Sequence, residues 1–286
     1  MRDFIPSVQV KDFVQVYRIV HLVFDKNQLV PFKAYPPRPE HCLAFYPFDR
    51  EKVKYLSNGK VIENLPVVFY GQQTEVTHRY IGHHFLVVQI IFHPGALASL
   101  LGTPAKEFTN RYLHAEEIFS TELNLVNEQL HFAKGYDQMI GIVEQFVISL
   151  AKKQRKNHRS MASLFAYLSQ QHEIPSVDWL ADQACLSPKQ FERIFKEQTG
   201  VNPKLYLRIA RFDRAFRYKN KFTHYDWLRV AIECGYHDYQ HLVRDYKSFT
   251  GLTPVAFHDV ENKAPEREFG LSENYYSGGW QNELPD

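Results

Sequence analysis

Hydrophobic and β-branched residues cluster in short runs at 13–24, 41–48, 67–71 and 85–92, interrupted by Pro31, Pro36, Pro37, Pro39 and the Asn58-Gly59 pair. Runs of that length bounded by turn formers predict strands. After Pro94 the period changes. Ala96, Leu97, Leu100 and Leu101 close at Gly102, and Ile140, Val143, Val147 and Leu150 recur at spacings of three and four, the signature of amphipathic helices. Residues 152–160, KKQRKNHRS, contain no apolar side chain and read as a linker. A helical period then resumes to about residue 260. The segment 261–286, with Gly270, Gly278 and Gly279, shows neither period and reads as a disordered acidic tail. The predicted fold class is α+β: a β-rich, barrel-like domain with trailing helices over 1–151, the linker, and an all-α domain over 161–260.

The all-α region contains an internal repeat. Ser187, Phe191, Arg193, Phe195, Lys196, Thr199-Gly200, Pro203 and Tyr206 match Asp238, Leu242, Arg244, Tyr246, Lys247, Thr250-Gly251, Pro254 and Phe257, each 51 residues later. Upstream the offset falls to 50, pairing Leu180-Ala181 with Val230-Ala231, so the second copy has a turn one residue longer. Each copy reads as a helix, a tight turn and a second helix. Ser187 and Asp238 supply N-caps, Pro188 suits a first helical position, and Gly200 and Gly251 accept the left-handed conformation that ends a helix.

On the two second helices, Phe191, Ile194 and Phe195, and Leu242, Tyr246 and Phe249, make apolar faces. Opposite them run Lys189, Arg193 and Lys196, and Gln240, Arg244 and Lys247. An amphipathic helix with Arg, Gln and Lys outward suits the major groove, because Arg forks onto guanine, Gln pairs with adenine and Lys meets phosphate. Residues 203–220 read as a joining helix of about 27 Å at 1.5 Å per residue, near the 34 Å or so between successive major grooves. Along it Arg208, Arg211, Arg214 and Arg217 add charge expected to lie against phosphates.

Charge supports this placement. The net value is only +2, yet residues 152–258 hold 18 basic and 10 acidic side chains, against 14 and 15 in 1–151 and 2 and 7 in 259–286. A charged outer face alone is ordinary for a helical hairpin. Repeated caps and stripes in a basic block are not.

Residues 176–258 resemble the DNA-binding domain of the AraC/XylS transcriptional regulators, two helix-turn-helix units joined by a long helix. The resemblance rests on Leu180-Ala181, Ser187-Pro188, Phe191, Arg193, Phe195-Lys196, Thr199-Gly200-Val201-Asn202-Pro203, Ala231, Gly235-Tyr236, Asp238, His241-Leu242, Arg244, Tyr246-Lys247 and Gly251-Leu252-Thr253-Pro254. It implies base-facing positions at Lys189, Gln190 and Arg193 and at Tyr239, Gln240 and Arg244. The sequence departs from the family at Leu242, where Phe is usual, and at His258, where Arg is frequent. Residues 35–130 resemble the β-rich first domains of some bacterial members. That resemblance implies a domain that senses a small-molecule effector, holds two chains together, or both. The implied partners are promoter or operator DNA, and RNA polymerase if the chain is an activator.

Composition narrows the rest. At 286 residues, 44% hydrophobic and 15% aromatic, the chain has ample core-forming surface. Cys42, Cys185 and Cys234 form no CxxC pair, which leaves a reducing cytoplasm as the expected setting and argues against a disulfide framework or local zinc site. Cys185 and Cys234 read as small buried side chains within the first helices of the repeats. The uncharged stretch 80–105 is broken by histidines and prolines, so no membrane span is expected. His78, His83, His84 and His93 are irregularly spaced with no acidic residue between them, and no metal or other cofactor is assigned. Tyr17, Tyr35, Phe45, Tyr46, Phe69 and Tyr70 line a ligand pocket or fill a core; the seam of 135–150 pairs two subunits or packs on its own sheet. An enzyme reading fails on motifs: a repair methyltransferase needs several metal-held thiolates where 1–151 offers Cys42, and GxSxG, phosphate-loop and HExxH patterns are missing.

Overall fold

The computed structural model describes residues 1–119, 122–153, 161, 164–165, 167–168 and 175–270. The expected linker beyond Lys153 and the tail from residue 271 lie outside the described residues.

Among the described residues, ten strands form two antiparallel sheets: β1 (Arg2–Phe4), β2 (Val14–Val23), β3 (Lys33–Tyr35), β4 (His41–Phe45), β5 (Lys52–Tyr55), β6 (Val61–Ile62), β7 (Val67–Tyr70), β8 (Thr77–Tyr80), β9 (His84–Phe92) and β10 (Tyr112–His114). The larger sheet has the order β1-β2-β9-β4-β7-β10 and the smaller β3-β8-β5-β6. The central strands of the larger sheet are buried on both faces, which is why they read as unbroken apolar runs instead of alternating ones. Leu43, Phe45, Phe69, Val88 and Ile90 face the helices. Cys42, Ala44, Tyr70, Val87 and Ile91 face the second sheet.

Strand parity therefore divides the six aromatic residues considered for a pocket. Tyr17, Phe45 and Phe69 fall on the helix side as core, whereas Tyr46 and Tyr70 fall between the sheets, and Tyr35 and Tyr46 line a cavity there. The helices are α1 (Ala96–Leu101), α2 (Glu122–Phe132) and α3 (Tyr136–Lys153). Val143 and Val147 on α3 are fully buried in the helix-side core and Phe146 meets Phe45 edge-on at 6.4 Å. That seam is used within the chain, on its own sheet.

The second half is helical: α4 (Val177–Gln183), α5 (Pro188–Thr199), α6 (Pro203–Lys221), α7 (Trp227–Glu233), α8 (Tyr239–Thr250), α9 (Pro254–Glu261) and α10 (Pro265–Glu268). No described helix is long and apolar enough to cross a membrane. The last two helices correct the expectation of a disordered tail from residue 261. Glu261 and Glu266 are buried, because both carboxylates meet Lys33 Nζ on β3, and Phe269 packs on Phe24 with ring centroids 5.0 Å apart. The acidic composition that reads as a solvated tail is, in its first part, a set of buried partners for one lysine of the β-rich half.

Candidate nucleic-acid interface

Each repeat copy is built from its caps inward. Ser187 Oγ accepts from the Gln190 amide at 3.4 Å, and Gln190 Oε1 accepts from the Ser187 amide at 3.3 Å. This capping box fixes the start of α5. Asp238 Oδ1 accepts from the His241 amide at 2.8 Å and does the same for α8. Gly200 and Gly251 end the helices at φ +90° and +75°, conformations an L side chain resists.

The turns before these helices share one geometry. Leu186 donates its amide to Ala181 O at 3.0 Å, and Tyr236 donates to Ala231 O at 2.9 Å. The residue before each lies in the left-handed region: Gly235 at φ +79° in the second copy, Cys185 at +53° in the first. Cys185 is thus an exposed turn residue, not the buried helical one expected, while Cys234 is buried. A non-glycine residue there carries a left-handed cost of roughly 1 kcal/mol. Cys185→Gly is expected to raise stability by about 0.5 to 1 kcal/mol, read from denaturant midpoints; no change or a loss would count against a strained turn.

Phe191 and Phe195 are fully buried against Leu180, Ala181 and Tyr206, and Leu242, Tyr246 and Phe249 against Phe212, Val230 and Phe257. Leu242 serves the core position where the family usually has Phe. With these faces fixed, Lys189, Gln190, Arg193 and Lys196 emerge on one surface of α5, and Gln240, Arg244 and Lys247 on one surface of α8, all exposed. Arg193 Nη1 lies 3.1 Å from Glu197 Oε1 in an open i,i+4 pair, an interaction worth a few tenths of a kcal/mol. The arginine stays available. The Tyr239 ring, at the start of α8, is half-buried against the core of the second unit.

Three arginines of α6 meet carboxylates within the helical half. Arg208 donates from Nε and Nη2 to Asp245 Oδ1 at 3.0 and 2.8 Å, and Arg211 Nη2 donates to Asp245 Oδ2 at 3.1 Å. Tyr236 OH donates to the same carboxylate at 3.2 Å. Arg217 Nε pairs with Asp213 at 2.8 Å. Arg208 and Arg211 are therefore committed to a carboxylate buried on α8, and Asp245 holds the joining helix to the second reading helix. Asp245 is not visible in the repeat, because its counterpart 51 residues earlier is Ile194. At 19 residues, α6 spans about 28 Å. His258 stands edge-on to Trp227 at 5.9 Å, and burial, aided by Arg267 and Lys219, pushes its pKa down to about 4. It is a neutral packing residue at pH 7.

The β-rich half touches both units at the far ends of these helices. Thr109 Oγ1 donates to Gly200 O at 2.9 Å beyond α5, and the Val76 amide donates to Phe249 O at 3.0 Å in α8. A Cβ on Gly200 would come within 2.6 Å of Thr109 Oγ1. Arg38 Nε lies 3.8 Å from Asp213. The contacts leave the outer stripes uncovered.

The four histidines His78, His83, His84 and His93, weighed above as metal ligands, serve separate neighbours. His78 stacks on Phe32, His83 meets Gln28 O, His84 stacks on Phe48, and His93 is partly buried near Lys11. A different trio, His237, Asp238 and His241, brings possible ligand atoms within 4.8 Å of one another. Its geometry is that of the α8 cap, where Asp238 Oδ1 also lies 3.0 Å from His241 Nδ1.

Comparison with known proteins agrees with this architecture. The family described as "Helix-turn-helix domain" matches residues 180–259, and "Domain of unknown function (DUF6597)" matches residues 2–114. HTH-type transcriptional regulator ArgR of Pseudomonas aeruginosa is 28% identical over 108 residues, 37% of this chain and 32% of that protein. HTH-type transcriptional activator RhaS of Mannheimia succiniciproducens is 25% identical over 159 residues, 54% of this chain and 56% of that one. The chain thus spans about a third to just over half of the length of these curated relatives. Among solved structures, apo ToxT K231A from Vibrio cholerae superposes with a TM-score of 0.48 at 9% identity, covering 86% of this chain and 97% of that one. The AdpA DNA-binding domain in complex with a target DNA superposes at 0.33 with 27% identity, covering 35% and 91%. The helix-turn-helix family model thus covers the paired units at residues 180–259, which follow a β-rich domain.

Proposed function

We propose that the chain regulates transcription by binding an operator or promoter with both units. Lys189, Arg193 and Lys196 of α5 and Gln240, Arg244 and Lys247 of α8 enter two successive major grooves, with Gln190 and Tyr239 at the groove-facing starts of the helices. Arg208 and Arg211 act behind them as positioning residues through Asp245. The observation that carries this reading is the pair of capped helices with equivalent outward stripes 51 residues apart, joined by a helix pinned to the second of them. Its length of about 28 Å suits the groove repeat of about 34 Å.

In this reading residues 1–151 sense a small-molecule effector, pair two chains, or both, residues 161–260 read DNA, and the chain is a non-catalytic cytoplasmic regulator that meets RNA polymerase if it activates. The test is selection of sites from random duplex DNA by the full chain, followed by titration of the best site over a range of salt. A motif spanning two grooves, with affinity falling steeply as salt rises, is expected. If neither the full chain nor residues 160–262 select a motif, the proposal fails.

A further inference from the structure

The second copy departs from the first where its reading helix begins. The Tyr236 amide meets Ala231 O as the Leu186 amide meets Ala181 O. Tyr236 therefore stands for Leu186 and Asp238 for Ser187, and His237 is the residue by which the second turn is longer. Three residues after the N-cap, His241 replaces Gln190, whose side chain closes the capping box of α5. Both changes put an imidazole beside the N-cap carboxylate. His237 Nδ1 lies 3.5 Å from Asp238 Oδ2, and His241 Nδ1 lies 3.0 Å from Asp238 Oδ1. Capping α8 needs Asp238 Oδ1, which accepts from the His241 amide, and gives neither ring a task.

The possible ligand atoms of the three side chains all lie within 4.8 Å of one another. Around a tetrahedral ion with bonds of about 2.1 Å, donor atoms stand roughly 3.4 Å apart. The two distances to the carboxylate are already close to that. The third, between the rings, closes by turning His237, whose side chain is 89% exposed. Two imidazoles and a carboxylate suit zinc and its late transition-metal neighbours, whereas calcium and magnesium prefer oxygen donors throughout. Three protein donors leave one position open, the arrangement of zinc sites that keep an exchangeable ligand. The trio lies on the outer surface, adjoining Gln240 and one helical turn before Arg244.

We infer that His237, Asp238 and His241 form a site for a divalent ion of the zinc class at the start of α8, and that the bound ion strengthens operator binding. The ion replaces the negative charge of the Asp238 carboxylate with a net positive one, at the end of the helix that approaches the phosphates. Neutralised phosphates release counterions, so the gain grows as salt falls. It also ties the residue before the N-cap to His241 in the first turn, which fixes the entry of the chain into α8. The effect on binding rests on the proposal that α8 enters a groove, while the metal site stands on the trio alone.

The test titrates zinc chloride into the full-length chain by calorimetry, beside the double variant His237→Ala, His241→Gln, which puts the residue of the first copy back at the second of these positions. Removing two of three donors is expected to weaken zinc binding at this site at least tenfold. In the unaltered chain, where no variant can misfold, substoichiometric cobalt(II) is expected to broaden the amide signals of residues 237–241 ahead of those of the β-rich half. On the selected operator, saturating zinc is expected to raise the affinity of the unaltered chain about fivefold, to steepen its salt slope by roughly one, and to leave the variant unmoved. Equal zinc binding by the two proteins, with cobalt broadening signals elsewhere, overturns the site. Zinc held by the trio with operator affinity unchanged overturns its effect on reading. A variant that binds the operator more weakly by the same factor with and without zinc means that the histidines touch DNA themselves, which also overturns that effect. If the chain selects no operator at all, the function proposed above fails, and the calorimetry still decides the site.

Discussion

Replacing Arg193 and Arg244 together by alanine is expected to weaken operator binding by about 1 to 3 kcal/mol for each residue and to relax base preference at the positions each contacts. The two side chains occupy equivalent places in the copies, both exposed and both on helices whose starts are fixed by caps. They lie far enough apart to act independently, so the losses should add within a few tenths of a kcal/mol. Lys196 and Lys247 provide a contrast. As phosphate contacts, their replacement should lower affinity evenly across sequences and reduce the slope of log affinity against log salt. Site selection repeated with each variant separates the two behaviours. If the double arginine variant keeps the operator's affinity and preference, the helical half serves some purpose other than reading bases. A surface that binds another protein is the alternative such a result would favour. The change should leave thermal stability almost untouched, since neither guanidinium is buried and, among the described residues, the ion pair lost is the exposed one with Glu197.

The readable parts of this molecule are the ones set by local chemistry. Caps at Ser187 and Asp238, terminating glycines at Gly200 and Gly251, and the outward stripes all depend on residues within one helix and its ends, so the repeat exposed them. The strained turn was within reach as well, because the offset of 50 that pairs Leu180 with Val230 also pairs Cys185 with Gly235, and only the second of these is a natural left-handed residue. What the sequence could not disclose was where side chains distant in the chain meet. Arg208 and Arg211 look like free charge on a helix surface until α8 brings the buried Asp245 against them. Glu261 and Glu266 look solvated until β3 brings Lys33. The aromatic strand residues pose a related problem. Whether Tyr17 or Tyr35 faces the cavity depends on sheet order and register, and neither follows from the pattern within a single strand.

Asp245→Ala is expected to cost about 3 to 5 kcal/mol of stability, the range for removing one member of a buried ion pair and leaving its partners unmatched. Asp245 is only 4% exposed and accepts from Arg208, Arg211 and Tyr236. Its loss takes the shared acceptor from two partly exposed guanidiniums and a buried phenol at the junction of α6, α7 and α8. Asp245→Asn should cost less, because the amide oxygen still accepts one donor while the charge is gone. The functional effect has a distinct form. Because Asp245 ties the joining helix to the second reading helix, its removal should weaken binding to a two-groove operator more than to a site presenting only the half read by α5. Chemical denaturation gives the stability and titration of full and half operators gives the geometry. A loss of under about 1 kcal/mol, with both operators weakened equally, would mean that packing of Phe212, Tyr246 and Phe249 sets the helix placement without the carboxylate.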